Sequence, residues 1–194
     1  RWQDMTSDDY FKGKRVILFS LPGAFTPTCS TYQLPGFEKS AAEMAGLGID
    51  AIYCMSVNDS FVMNQWVKAQ NLRNVQVIPD GSGEFTDKVG MLVRKDNLGF
   101  GARSWRYAAI VNNGVVETWL EEPGRMDDCP EDPYGASSPE SVLAWLQDNP
   151  ARAAARSTVR RTGTASTGVI LLREIDGEFK TPALDNLVYQ NFPA

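Results

Sequence analysis

One stretch of the sequence combines residue types that can do redox chemistry: Pro22-Gly23-Ala24-Phe25-Thr26-Pro27-Thr28-Cys29-Ser30. A cysteine in the opening turn of a helix meets backbone N–H groups with no helical acceptor and the positive end of the helix dipole, both of which favour a thiolate. Thr26, three residues earlier, can aim its hydroxyl at the same point, and Pro22 can screen it from water without adding a donor. An arginine from elsewhere in the chain would complete an electropositive pocket. A packed structural cysteine beside a helix cap is the commoner fate of a lone cysteine. Spacing alone leaves the two readings even.

Other catalytic chemistries are excluded by what the chain lacks. Among its 194 residues there is no histidine, which removes Ser-His-Asp and Cys-His machinery and the usual zinc ligands. The three cysteines, Cys29, Cys54 and Cys129, form no C-x-x-C pair, so no metal cluster or dithiol motif is predicted and a reducing compartment is expected. A formal charge of −5 argues against nucleic acid as a partner. Apolar runs such as Val16–Phe19 and Val169–Leu172 are too short to span a bilayer. The Gly-rich Asp80–Gly83 lacks a phosphate-loop lysine and reads as a turn. The acidic segment 121–132 fits no calcium loop, and five tryptophans point to packing. No metal and no cofactor are expected. The chain starts at Arg1, which leaves room for a removed targeting peptide, with a cytoplasmic or organellar location.

The elements that would position Cys29 follow from periodicity. Residues 14–20 read as a buried strand ending at Leu21-Pro22-Gly23. A helix runs from Thr26-Pro27-Thr28 to about Gly46, with Thr26 or Thr28 as cap and an irregularity at Pro35-Gly36. Residues 49–57 form a second strand, Asn58-Asp59-Ser60 cap a helix carrying Phe61, Val62, Trp66 and Ala69, and 75–78 form a third strand. Tyr107–Val111 and Val115–Leu120 flank an Asn-Gly turn and read as a hairpin, and Pro139–Gln147 closes the unit as a helix. This order describes an α/β sandwich with a mixed central sheet flanked by helices, whose first strand-to-helix turn holds Pro22 to Cys29. From residue 151 the character changes. Arg152, Arg156 and Arg160 are four apart, 161–168 is a Thr/Ser/Gly linker, and 169–180 suggests a hairpin about Asp176-Gly177. Residues 1–150 therefore form one domain. Residues 151–194 are a C-terminal extension with too little apolar material to fold alone, expected to dock on the domain or on another protein.

The segment Pro22–Cys29 resembles the peroxiredoxin active-site loop Pro-x-x-x-Thr-x-x-Cys. Pro22–Phe37 is more closely similar to the branch containing plant type II and mammalian atypical two-cysteine enzymes. Cys54–Asp59, Phe85–Met91 and Arg103–Tyr107 extend the resemblance over about residues 1–148. It implies a thioredoxin-like fold and a thiol peroxidase acting on hydrogen peroxide and organic hydroperoxides. By the same resemblance Cys29 is the peroxidatic cysteine, Thr26 its hydroxyl partner, Pro22 the shielding proline and Arg106 the arginine that favours the thiolate and stabilises developing charge. Arg103 is a weaker candidate and reads rather as a solvated surface charge. Where many relatives carry histidine four residues past the cysteine, this chain has Gln33, which hydrogen-bonds but does not titrate near neutrality.

Two cysteines could resolve the sulfenic acid. Cys54 lies in a strand and reads as a packed core thiol, although its place resembles the second cysteine of plant type II enzymes. Cys129 lies near the position of the resolving cysteine of the mammalian atypical enzyme, in a loop where Asp127, Asp128 and Glu131 would weaken it as an attacking group. The family resemblance implies reduction by glutathione with glutaredoxin or by thioredoxin, and external resolution is favoured over a Cys29–Cys129 bridge. It also admits a homodimer. The alternative is a peroxiredoxin-like structural or binding subunit, anchored in an assembly by residues 151–194.

Overall fold

The computed structural model describes residues 3–150, together with 173–175, 178–180 and 188–191. Chain order begins with β1 (Gln3–Thr6) and α1 (Ser7–Phe11), then β2 (Arg15–Ser20) and a π-turn (Cys29–Gln33) continuing into α2 (Leu34–Gly46). β3 (Ala51–Ser56), α3 (Ser60–Ala69), β4 (Val75–Pro79) and α4 (Glu84–Lys88) follow. Next come β5 (Leu92–Arg94), a 3-10 turn (Asp96–Leu98), β6 (Ala102–Ser104), β7 (Tyr107–Asn112), β8 (Val115–Glu121) and α5 (Pro139–Asp148). β9 (Arg173–Ile175), β10 (Glu178–Lys180) and β11 (Val188–Asn191) complete the described elements.

Five strands form the central sheet in the order β4-β3-β2-β7-β8. β2 pairs in parallel with β3 and β3 with β4, while β7 runs antiparallel to β2 and β8 to β7. The sheet is therefore mixed, as the order of elements implied. All six residues of β2 are buried, because this strand is central and covered on both faces. The hairpin β7–β8 turns through Asn113 and Gly114, both at positive φ (50° and 82°), the backbone that an Asn-Gly pair adopts most readily.

Alternation along the strands divides the apolar side chains between two faces. Ile17, Phe19, Ile52, Cys54, Ala108 and Ile110 point to one face, where Leu34, Phe37 and Met44 of α2, Met63 and Trp66 of α3, and Val142 and Leu146 of α5 cover them. Val16, Leu18, Tyr53, Met55, Tyr107 and Ala109 point to the other, beneath Tyr10 and Phe11 of α1, Phe85 of α4 and Val93 of β5. Three layers result, and Cys29 belongs to the α2–α3–α5 side.

The sequence reading left β1, α1, α4, β5 and β6 unassigned, since segments of three to five residues are too short to show a period. The irregularity expected from Pro35-Gly36 takes the form of the π-turn directly before Pro35, which cannot donate a backbone hydrogen bond within this continuous stretch of helix. Gly36 is needed for another reason: a Cβ there would stand 2.9 Å from Pro139 at the start of α5. In the C-terminal region β9 and β10 pair antiparallel, Ile175 opposite Glu178, and β11 pairs antiparallel with β1, Gln3 opposite Asn191. The basic stripe at Arg152, Arg156 and Arg160 and the linker 161–168 lie outside the described residues. Among the described residues no helix is long and apolar enough to cross a membrane.

Candidate active site

β2 delivers the chain to the loop 21–26, after which helical backbone begins at Pro27. Cys29 opens the π-turn, and the Leu34 N–H donates to its carbonyl five residues back. One extra residue in the turn changes the direction in which Cys29 leaves the helix relative to α2, a distortion frequent at functional sites. Its side chain is 1% exposed, set among the apolar residues of the α2–α3–α5 face.

A cation is aimed at the sulfur. Arg106, 2% exposed just before β7, places one terminal nitrogen 3.5 Å from Cys29 Sγ. The same nitrogen donates to Gln33 Oε1 at 2.5 Å, and the other donates to the Asp132 carboxylate at 2.7 Å. Its plane faces the Tyr134 ring at 5.8 Å, while its buried Nε–H has no acceptor among the described residues. Burial alone would pull the guanidinium down, but the charges of Cys29 and Asp132 outweigh it and hold its pKa above the ordinary arginine value.

The remaining loop residues are fixed from several sides. Pro22 is buried, and its carbonyl accepts from Arg103 at 3.1 Å. Arg103 also donates to Phe100 O at 3.2 Å and stacks on the Phe100 ring, so it is half-buried structure rather than the solvated charge expected from sequence. A Cβ at Gly23 would collide with its guanidinium. The Thr26 hydroxyl donates to Gly23 O at 2.7 Å, and Thr28 makes no side-chain capping bond. Neither threonine serves as the expected cap, and Thr26 is left as an acceptor. The Ala24 N–H donates to Asn58 Oδ1 at 3.0 Å, which ties the loop to the end of β3. Phe25 holds a positive φ of 64° and is 54% exposed, strained backbone of the kind found at functional sites.

Arg106 meets Cys29, Pro22 and Thr26 lie in the loop that leads to it, and the other two cysteines lie in β3 and in the loop after β8. Cys54 shares the Cys29 face but is wholly buried in β3, between Phe19 and Val77. Burial first, and the nearby Cys29 charge second, push its thiol well up. Cys129 packs against the opposite face of the sheet. Its loop is pinned there: the Arg94 N–H donates to Asp127, the Asp128 N–H to Arg94 O, and the Asn97 amide to Cys129 O. All three thiols are free.

Sequence reasoning singled out Gln33 but missed what it grips, and it missed Asp132 and Glu122. Glu122 is buried, and its carboxylate accepts from the N–H groups of Gly135, Ala136 and Ser137 and from the Ser137 hydroxyl. Ser137 lies 3.4 Å from the Gln33 amide nitrogen, so the loop after β8 is linked to Arg106 through Gln33. A signal did exist, in the cluster of carboxylates and turn residues over 121–138, but its target is remote in sequence. Among the described residues no group of three acidic, Cys or His side chains could hold a metal ion.

A mixed sheet whose first parallel strand feeds a helix headed by a cysteine defines a thioredoxin-like thiol enzyme. Known proteins agree on the class. Residues 2–128 match the Redoxin family model. A Rhizobium etli peroxiredoxin is 69% identical over 147 residues, 76% of this chain and 82% of the relative. Peroxiredoxin-2D of Arabidopsis thaliana is 49% identical over 135 residues, 69% and 79% of the two chains. The crystal structure of the Plasmodium falciparum antioxidant protein, a 1-Cys peroxiredoxin, superposes with a TM-score of 0.71 at 38% identity, covering 73% of this chain and 80% of that one. The chain belongs to the peroxiredoxin family, in its type II branch, and is a thiol peroxidase.

Proposed function

We propose that Cys29 carries the peroxidase reaction and that a thiol from outside the chain completes it. The single observation behind this reading is the Arg106 nitrogen 3.5 Å from a sulfur that is 1% exposed. A guanidinium at that distance sets a fixed positive charge beside the attacking sulfur and the oxygen that must leave. The thiolate attacks one peroxide oxygen, the O–O bond breaks, and its electron pair leaves with the other oxygen as hydroxide or alkoxide. Cys29 becomes sulfenic acid, oxidised by two electrons, and the leaving oxygen takes up a proton as water or alcohol. Thr26, its own proton engaged by Gly23, can accept from the peroxide O–H. The open Nε–H of Arg106 can donate to the developing anion, Pro22 excludes water, and Arg103 steadies the loop.

The positions of Cys54 and Cys129 favour external resolution. A thiol R–SH condenses with the sulfenic acid to give a mixed disulfide and water, and a second thiol releases Cys29. Glutathione with glutaredoxin is one candidate for that thiol, as the resemblance to plant type II enzymes implies, and thioredoxin is the other. The Plasmodium falciparum neighbour, a 1-Cys peroxiredoxin, is consistent with resolution by an outside thiol. Three free thiols suit a reducing compartment, cytoplasmic or organellar. Residues 1–150 would act as the peroxidase domain and 151–194 as an arm, and the pairing of β11 with β1 supports docking of that arm on the domain itself. A homodimer is compatible with this arrangement.

The test is peroxide consumption by the wild type and Cys29→Ser, each with glutathione plus glutaredoxin and with thioredoxin. Turnover lost in Cys29→Ser supports the assignment. Equal turnover in both proteins would remove it, and no turnover in either would favour a binding or structural subunit.

A further inference from the structure

Arg106 is a buried cation whose balance of charge changes during the reaction proposed above. With Cys29 as thiolate it faces two anions, the sulfur at 3.5 Å and Asp132 at 2.7 Å. Once Cys29 is a neutral sulfenic acid, Asp132 is the only carboxylate among the described residues in ion-pair contact with it. A guanidinium that is 2% exposed is costly to leave without an anion. Its other partners, the Gln33 amide and the Tyr134 ring, are neutral.

We propose that Asp132 is a positioning residue and the standing counter-ion of Arg106, setting how much of the arginine's charge reaches Cys29. The Asp132 side chain is 45% exposed while its partner is buried, so the pair spans the boundary between solvent and pocket. The loop is held for this purpose at one end by Glu122, which collects the N–H groups of residues 135–137. Gln33 joins the same loop to the other guanidinium nitrogen. Asp132 therefore does two things: it keeps Arg106 seated in both oxidation states, and it withdraws part of the positive potential from the thiolate. Among the described residues, Arg103 from β6 and Cys54 from β3 also interact electrostatically with Cys29. Neither touches Asp132.

This inference rests on Cys29 and Arg106 forming the site, but its test does not need turnover. The rate of Cys29 alkylation by iodoacetamide is followed against pH in the full chain, with peptide mapping to separate Cys29 from Cys54 and Cys129. Asp132→Asn keeps an oxygen acceptor for Arg106 and removes the charge, so the midpoint is expected to fall by about half a pH unit or more. Asp132→Glu is expected to return it to the wild-type value. Glu131→Gln, which removes a charge from the neighbouring exposed position, is expected to leave it in place. An unmoved or raised midpoint in Asp132→Asn, or an equal fall in Glu131→Gln, overturns the proposal. Failure of Cys29→Ser to lose peroxide turnover would instead count against the site assignment, so the two results are separable.

Discussion

At the scale of single residues, the charge that faces Cys29 belongs to Arg106, a group that does not titrate in the working range. Arg106 stays protonated, so with no histidine in the chain the pH profile of the rate should show no imidazole step. Arg106→Lys keeps the charge but loses the fork that reaches Cys29, Gln33 and Asp132 together. We expect kcat/KM to fall about 100-fold, read from steady-state peroxide consumption. Cys54 and Tyr53 give a second expectation. Burial pushes the Cys54 thiol well up and Tyr53 to about 12, so in the folded protein both keep their protons at pH values where the unfolded chain gives them up. Stability from these groups is complete below the unfolded thiol value of about 8.5 and is lost as pH rises above it. Urea midpoints should therefore drop between pH 7 and pH 10.5, and Cys54→Ala should flatten the drop. Of the proposed site, the meeting of Cys29 and Arg106 was legible in the sequence, because the cysteine motif is local and the arginine lies in a recognisable stretch. Asp132 was not, because its partner is 26 positions away and a loop carries no period.

At the scale of elements, carboxylates fasten loops by gathering backbone N–H groups. Glu38 on α2 accepts from the N–H groups of Arg73, Asn74 and Val75 and so anchors the entry to β4. Burial would raise its pKa, but these bonds outweigh burial and lower it. Its contribution is thus present above the unfolded value of about 4.3 and disappears as pH falls through the lower folded value. Glu38→Ala should cost about 1 kcal/mol near neutrality and blunt the acid limb of a stability profile followed by circular dichroism. Glu122 is the stronger case, being buried with three N–H groups on its carboxylate. Glu122→Ala should cost about 3 kcal/mol, read from urea unfolding. Strands β2 to β4 and the β7–β8 hairpin were legible from apolar runs and the Asn-Gly turn. Helix α1 left a weaker mark: its Thr6-x-x-Asp9 capping box is present, with the Thr6 N–H donating to Asp9 at 2.7 Å, but five residues follow it with no periodic face. The π-turn left an indirect mark in Pro35-Gly36, which announced an irregular helix without showing that Gln33 would meet Arg106.

At the scale of the molecule, the faces to which the thiols belong decide which of them can meet. Cys29 and Cys129 pack on opposite faces of the sheet, and the Cys129 loop is bonded to β5 and the 3-10 turn. Bridging them would draw residues 127–129 out of those contacts and toward Asp132, which already pairs with Arg106, since disulfide geometry needs Cα atoms within about 7 Å. One equivalent of peroxide followed by excess glutathione should give a mixed disulfide at Cys29, with Cys129 still alkylatable in mass mapping. A dominant 29–129 bridge would show that the loop opens during the cycle. The same partition makes the sheet a bulkhead between two sulfur atoms, so the thiol beside Arg106 and the thiol of the acidic loop sit in separate compartments of one molecule.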